Sequence, residues 1–207
     1  MLETGRYRTA LVIGGDVIAK HYDLSANAAA SAPEQLINGV LFGDGAGAAV
    51  LTAVPSPDAT VIRSVLLRLV GKDRPPGQTV EWFGMADRHT DRPAVSEDYK
   101  AIEEAVPVMA GEIASELLTD LDWAETDIDY LLPPQLSGKM TARIVDGLDF
   151  PYAKEITCVH ETGNTGNALP FFQLERVLPL LATGDCALGI AVESSKWIKS
   201  GFALEKA

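Results

Sequence analysis

The run Phe42-Gly43-Asp44-Gly45-Ala46-Gly47-Ala48-Ala49-Val50-Leu51 decides how the rest of the chain is read. Glycine at alternate positions, 43, 45 and 47, has two readings. A Gly-rich loop can cradle phosphate, but that use needs a helix directly after it and an acid placed for the ribose. Here an apolar run follows instead. Small residues alternating along a strand leave one face bare, so that another stretch of backbone can approach closely. Residues 36–42 and 46–54 are therefore expected as two β-like runs around the glycines.

Before them, Thr9-Ala10-Leu11-Val12-Ile13-Gly14-Gly15-Asp16-Val17-Ile18 reads as a strand buried on both faces. Residues 2–8 look like the tail of a helix, with Gly5 as its stop and Arg6 and Arg8 at its end. A chain opening on such a tail is expected to have lost something before it. Residues 22–35, rich in Ala, Ser and Asn, are expected as a loop or weak helix.

After the glycines, residues 60–70 read as a strand and 71–77, with Pro75-Pro76, as a linker. Residues 78–84 are expected as a short strand and 85–94 as a charged loop with a solvated His89. Ser96 is expected to cap a helix whose core face is Tyr99, Ile102, Val106, Met109, Ile113 and Leu117, kinked at Pro107. A strand into Pro133-Pro134-Gln135, a helix over 139–148, a helix over 169–182, a strand over 185–192, a loop over 193–199 and a strand over 201–205 complete the chain. Strands alternate with helices, so the class is α/β.

The chain has 207 residues, 47% of them hydrophobic, enough for a sizeable core. No apolar run is long enough to span a bilayer, and Glu3, Arg6 and Arg8 break up any signal-like start. With 29 acidic against 17 basic residues the net charge is −12, and no basic stripe offers a site for nucleic acid or an anionic membrane. Cys158 and Cys186 lie in apolar runs without metal-ligand spacing, which reads as buried thiols in a cytoplasmic protein with no metal and no permanently bound cofactor.

The stretch His160-Glu161-Thr162-Gly163-Asn164-Thr165-Gly166-Asn167-Ala168-Leu169-Pro170 joins a short apolar run, Ile156 to Val159, to a helix-like run. Two readings of it stand side by side. Asn164 and Asn167 can be turn residues that bond their own backbone. Alternatively, Asn164 presents its amide at a strand end, aimed at a developing negative charge.

Several of these stretches, in this order, resemble the ketoacyl-acyl-carrier-protein synthase III branch of the thiolase superfamily. They are Thr4-Gly5-Arg6-Tyr7 with the strand ending Gly15-Asp16-Val17, the 42–51 run, Asp129-Tyr130-Leu131-Leu132-Pro133-Pro134-Gln135, and Gly163-Asn164-Thr165. The match is to the second part of the family's sequence. It implies an incomplete thiolase-like layered fold with helices packed on a mixed sheet. Residues 1–70 would be a remnant of the first half, 71–95 a linker and loop, and 96–207 the second half.

The resemblance also implies chemistry. The family uses a Cys-His-Asn set on thioesters of coenzyme A or an acyl carrier protein, so a coenzyme A or phosphopantetheine thioester is the implied substrate. Asn164 matches the family's asparagine. The histidine is replaced: the family's Pro-His-Gln is here Pro133-Pro134-Gln135. Ser137 stands where the family often has an asparagine near the pantetheine arm, and Lys139 with Arg143 offers a basic landing point for an acidic carrier protein, with a pair of solvated surface charges as the alternative. His160, with Glu161 nearby to orient it, is a candidate replacement for the missing histidine; a histidine bonding locally on a strand edge is the alternative. The family's nucleophilic cysteine lies before this chain's first residue, and neither Cys158 nor Cys186 matches it.

Three arrangements follow. The chain is a subunit of a split acyltransferase, in a hetero-oligomer whose companion chain carries the first half and the cysteine. It is a non-catalytic partner that shapes the pocket or interface of an active companion. Or it is a fragment of a longer chain.

Overall fold

A computed structural model describes residues 2–18, 33–54, 56–81 and 95–207, and within 82–94 residues 83, 85–87, 89, 90 and 92. Residues 22–32 of the expected loop or weak helix lie outside the described residues.

The centre is a five-stranded mixed sheet in the order β3-β9-β8-β6-β7, built from β3 (Thr60–Leu69), β6 (Tyr130–Leu132), β7 (Lys154–Glu155), β8 (Cys186–Glu193) and β9 (Ile198–Lys206). β3, β9 and β8 pair antiparallel, whereas β8, β6 and β7 run parallel. Period-two alternation assigns neighbouring residues of β8 to opposite faces. Leu188 joins the core beneath α2 (Tyr99–Leu121) and α3 (Gly138–Leu148), while Ala187 joins Val177 and Leu181 on the other face. Helices thus cover both faces.

The helical spacing expected for α2 holds, with Ile102, Val106, Met109, Ile113 and Leu117 all buried. Tyr99, the first residue of the helix, is exposed. Asp98 caps this helix by accepting from Ala101 N at 3.0 Å, while Ser96 lies in the short strand β5 (Val95–Glu97) paired with β4 (Gln78–Val80). Aspartate caps as well as serine, so the boundary moved by two residues. Lys199, buried on β9, sits between Glu112 at 2.6 Å and Glu116 at 2.9 Å and ties the sheet to α2.

β1 (Thr9–Asp16) and β2 (Gly45–Thr52) form a separate antiparallel ribbon. β1 is the expected strand, but it is not buried on both faces. Leu11, Ile13 and, opposite on β2, Val50 are 60%, 68% and 70% exposed. The other face packs on the stretch around residue 167. The expected β-run over 36–42 is instead a helix, α1 (Pro33–Leu41). Leu36, Ile37, Val40 and Leu41 fit helical spacing as well as they fit an apolar strand. The helix expected to reach residue 182 ends earlier, as α5 (Leu169–Val177).

Residues 71–77 run irregularly, as a linker should, yet they are anchored. Trp197 Nε1 donates to Pro75 O at 2.6 Å, and the Arg74 guanidinium stacks 3.7 Å from the Trp197 ring.

Candidate active site

Asn164 is held by its backbone and aimed by its side chain. It forms an isolated parallel bridge with Phe42: Gly43 N donates to Asn164 O at 3.0 Å, and Asn164 N donates to Leu41 O at 2.8 Å. Its Oδ1 accepts from Gly166 N at 3.0 Å. That bond fixes the amide's orientation and leaves the two hydrogens of Nδ2 to serve another acceptor. Asn164 therefore does bond its own turn, and in doing so it presents a directed donor.

The glycines of the 42–51 run are the seat of this turn. A Cβ at Gly43 would lie 2.1 Å from Thr162 O, and one at Gly47 would lie 2.3 Å from Phe171 Cβ. On β1, a Cβ at Gly14 would lie 2.1 Å from Asn167 O. The close approach expected from alternating small residues is real, and what approaches is the Asn164 turn with the start of α5. Gly163, at φ +66°, ends the preceding one-turn helix α4 (Val159–Thr162) in a conformation that costs other residues.

A second loop arrives from β6. Pro133, Pro134 and Gln135 are buried, and Ser137 caps α3 by accepting from Met140 N at 3.2 Å. Gln135 Oε1 accepts from both Cys158 N at 3.1 Å and Cys158 Sγ at 3.4 Å. Gln173 on α5 donates through Nε2 to Pro133 O at 2.8 Å and to Ile156 O at 3.1 Å. Among the described residues, the buried side-chain polar atoms lacking a hydrogen-bond partner are Gln135 Nε2 and Thr165 Oγ1, one on each loop.

His160 lies on α4 and not at a strand end, because β7 stops at Glu155. It is exposed, and its ring packs on Gly138 at the start of α3, where an added Cβ would come within 2.5 Å of Cε1. His160 is thus brought to Ser137 and Lys139, while the hydrogen bonds of Asn164 run to residues 41, 43 and 166. Glu161 was expected to orient His160. Its carboxylate is instead held on both oxygens by Arg176 of α5, which also donates to Thr157 O at 2.6 Å. Arg176 keeps the Glu161 carboxyl below its ordinary pKa. Arg143 pairs with Glu103 of α2 at 2.8 Å, an exposed pair that adds little stability.

Neither cysteine is presented as a nucleophile. Cys158 is buried with its thiol turned to Gln135. Cys186 is buried at the far end of β8, where burial first, then the Glu205 and Asp129 carboxylates, push its thiol up to about 11. Among the described residues no cluster of His, Cys, Asp or Glu could hold a metal, and no helix is long and apolar enough to cross a membrane. Sequence reasoning missed Gln173 and Arg176. The signal was present for Gln173, which interrupts the apolar stripe Leu169, Gln173, Val177.

Residues 1–68 match the family model for 3-oxoacyl-[acyl-carrier-protein (ACP)] synthase III. The chain is 31% identical over 167 residues to a beta-ketoacyl-[acyl-carrier-protein] synthase III of Halalkalibacterium halodurans, covering 81% of this chain and 46% of the relative. It is 26% identical over 180 residues to one from Streptomyces coelicolor, covering 81% and 49%. The chain spans about half the length of these curated relatives. Among solved structures, a tetronic acid condensing enzyme is 54% identical with a TM-score of 0.87, covering 99% of this chain and 62% of that one. The 3-oxoacyl-(acyl carrier protein) synthase III of Pseudomonas aeruginosa, 22% identical, shares the fold at a TM-score of 0.79 over 99% and 61%.

Proposed function

Because the chain belongs to the ketoacyl-acyl-carrier-protein synthase III-like branch of the thiolase superfamily, we propose that it supplies the asparagine side of an acyl-transfer site whose thiol nucleophile is carried by a companion chain. The substrates are thioesters of coenzyme A or an acyl carrier protein. The observation that carries this reading is the directed Nδ2 of Asn164, fixed by the Gly166 N bond and the bridge to Phe42. When a thiolate attacks a thioester carbonyl, negative charge grows on the carbonyl oxygen, and a preorganised donor aimed there lowers the barrier by about 3 kcal/mol. The thiolate displaces the coenzyme A or carrier thiol, which leaves with the electron pair of the broken carbon–sulfur bond. The acyl group then passes from the companion's sulfur to its acceptor.

Ser137 and His160, gathered at the start of α3, line the approach for the pantetheine arm, and exposed Lys139 with Arg143 faces the acidic carrier. His160, whose ring packs on Gly138, is the candidate to supply the donor that Pro134 lacks. In this reading residues 1–70 belong to the first half of the fold, 71–95 connect, and 96–207 form the second half.

Co-expression with the companion, exposure to acyl thioesters and intact-mass measurement test the reading. The acyl mass is expected on the companion and not on this chain. An acyl adduct on Cys158 or Cys186 would overturn it. Pro134 favours a second reading, in which the chain only shapes the companion's pocket; undiminished turnover by an Asn164→Ala complex would establish that one. Absence of the family histidine favours transfer without decarboxylation, since enolate stabilisation draws on both donors. Carbon dioxide release from a malonyl thioester would reverse this, in line with the condensing activity of the 54% identical relative.

A further inference from the structure

We propose that Gln173 is a positioning residue, whose buried amide sets the spacing between the loop of Ser137 and the loop of His160 and Asn164. The last backbone bond between the adjacent parallel strands β6 and β7 is Ile156 N to Leu131 O, at 2.8 Å. Beyond it the two chains part, one toward Pro134, Gln135 and Ser137, the other toward α4 and Asn164. At that fork one nitrogen, Gln173 Nε2, places a hydrogen on each branch, Pro133 O at 2.8 Å and Ile156 O at 3.1 Å. Gln173 is 2% exposed, so water cannot substitute for either bond, and both carbonyls depend on the amide.

The helix that carries Gln173 begins directly after the Asn164 turn, and its first residues sit in the glycine seat. One turn further on, Arg176 grips Thr157 O and Glu161. α5 is therefore pinned to both loops as well as following one of them in sequence. A shift in Gln173 moves Ser137 relative to Asn164 without breaking either residue's own hydrogen bonds.

The proposal rests on the acyl-transfer reading only for its catalytic consequence, and the test separates the two. Gln173→Met keeps the length and apolar bulk of the side chain and removes both donors. In the full chain, hydrogen exchange of the amides of Cys158, Asn164 and Thr141 is expected to accelerate by about tenfold or more, while Ile113 and Leu117 in α2 keep their protection. In the acylating complex kcat falls by about 10- to 100-fold with KM little changed. Unchanged loop exchange, or an equal acceleration in α2, would overturn the proposal, the latter by reducing Gln173 to a stability residue. Should the Met variant not fold, Gln173→Glu serves. Its carboxyl can donate when protonated and repels both carbonyls when ionised, so loop exchange should gain a pH dependence that wild type lacks after intrinsic rates are corrected. Absence of that dependence overturns the proposal. If Asn164→Ala leaves turnover intact, the acyl-transfer reading fails, while the exchange data still report on Gln173.

Discussion

At Asn164 the two halves of one carboxamide do different work, the oxygen closing a turn with Gly166 and the nitrogen left to serve another acceptor. Asn164→Ala should lower turnover of the complex by about 10²- to 10³-fold. Its unfolding midpoint should fall only modestly, reflecting the ~1 kcal/mol of the lost Gly166 N bond, because the bridge to Leu41 and Gly43 uses backbone atoms only. Steady-state rates with thermal unfolding of the same sample check both. Cys186 gives a second prediction at this scale. Its pKa is raised from 9.0 to about 11, so the folded chain holds a proton that the unfolded chain releases in that interval. The associated stability is full below about pH 9 and is lost as pH rises toward 11, a change on the order of 2 kcal/mol. Denaturant titrations of wild type and Cys186→Ala should diverge in slope within that window and run parallel below it.

At the scale of elements, β2 is a strand whose inward face is shaped by what lies against it. Gly47→Ala would put a methyl 2.3 Å from Phe171 Cβ, and Gly43→Ala would put one 2.1 Å from a backbone oxygen. Each should destabilise by about 1–3 kcal/mol. Gly43→Ala should also cut turnover, since it pushes on the residues that hold Asn164. Gly39→Ala on α1, with nothing within 4 Å of the added methyl, is the control. The alternation of small residues was readable in the sequence, because period two is a property of one segment. α1 was misread because its apolar residues satisfy two periods at once over too short a span to choose. The run 156–159 leads into a helical turn and not to a strand end, because apolar content does not show that β7 stops pairing with β6 after the bond from Ile156 N to Leu131 O.

At the scale of the whole molecule, bare apolar residues stand on one face of the ribbon and on the edge strand of the sheet. Leu11, Ile13 and Val50 share one face of the ribbon, and Val65 and Leu67 on β3 are also largely exposed. Apolar residues this exposed, side by side on the ribbon face, suit an interaction site. The chain expressed alone should therefore bind an apolar dye and self-associate despite its net charge of −12, and the companion chain proposed above should suppress both. Light scattering that finds a monodisperse 22.1 kDa monomer would count against an obligate partner.

The sequence by itself determined the α/β class, the core face of α2, the strand character of β1 to β3 and the candidacy of Asn164. All of these follow from periodicity or turn chemistry within a few neighbouring residues. The tertiary structure alone decided that Gly43 and Gly47 meet the Asn164 turn, that Gln173 joins Pro133 to Ile156, and that Arg176 holds the Glu161 carboxylate. Gly43 and Asn164 are over a hundred residues apart in the chain, and no local spacing encodes which distant carbonyl a buried amide will face. Such pairings are fixed only when the sheet order is closed and each buried polar group must find a partner.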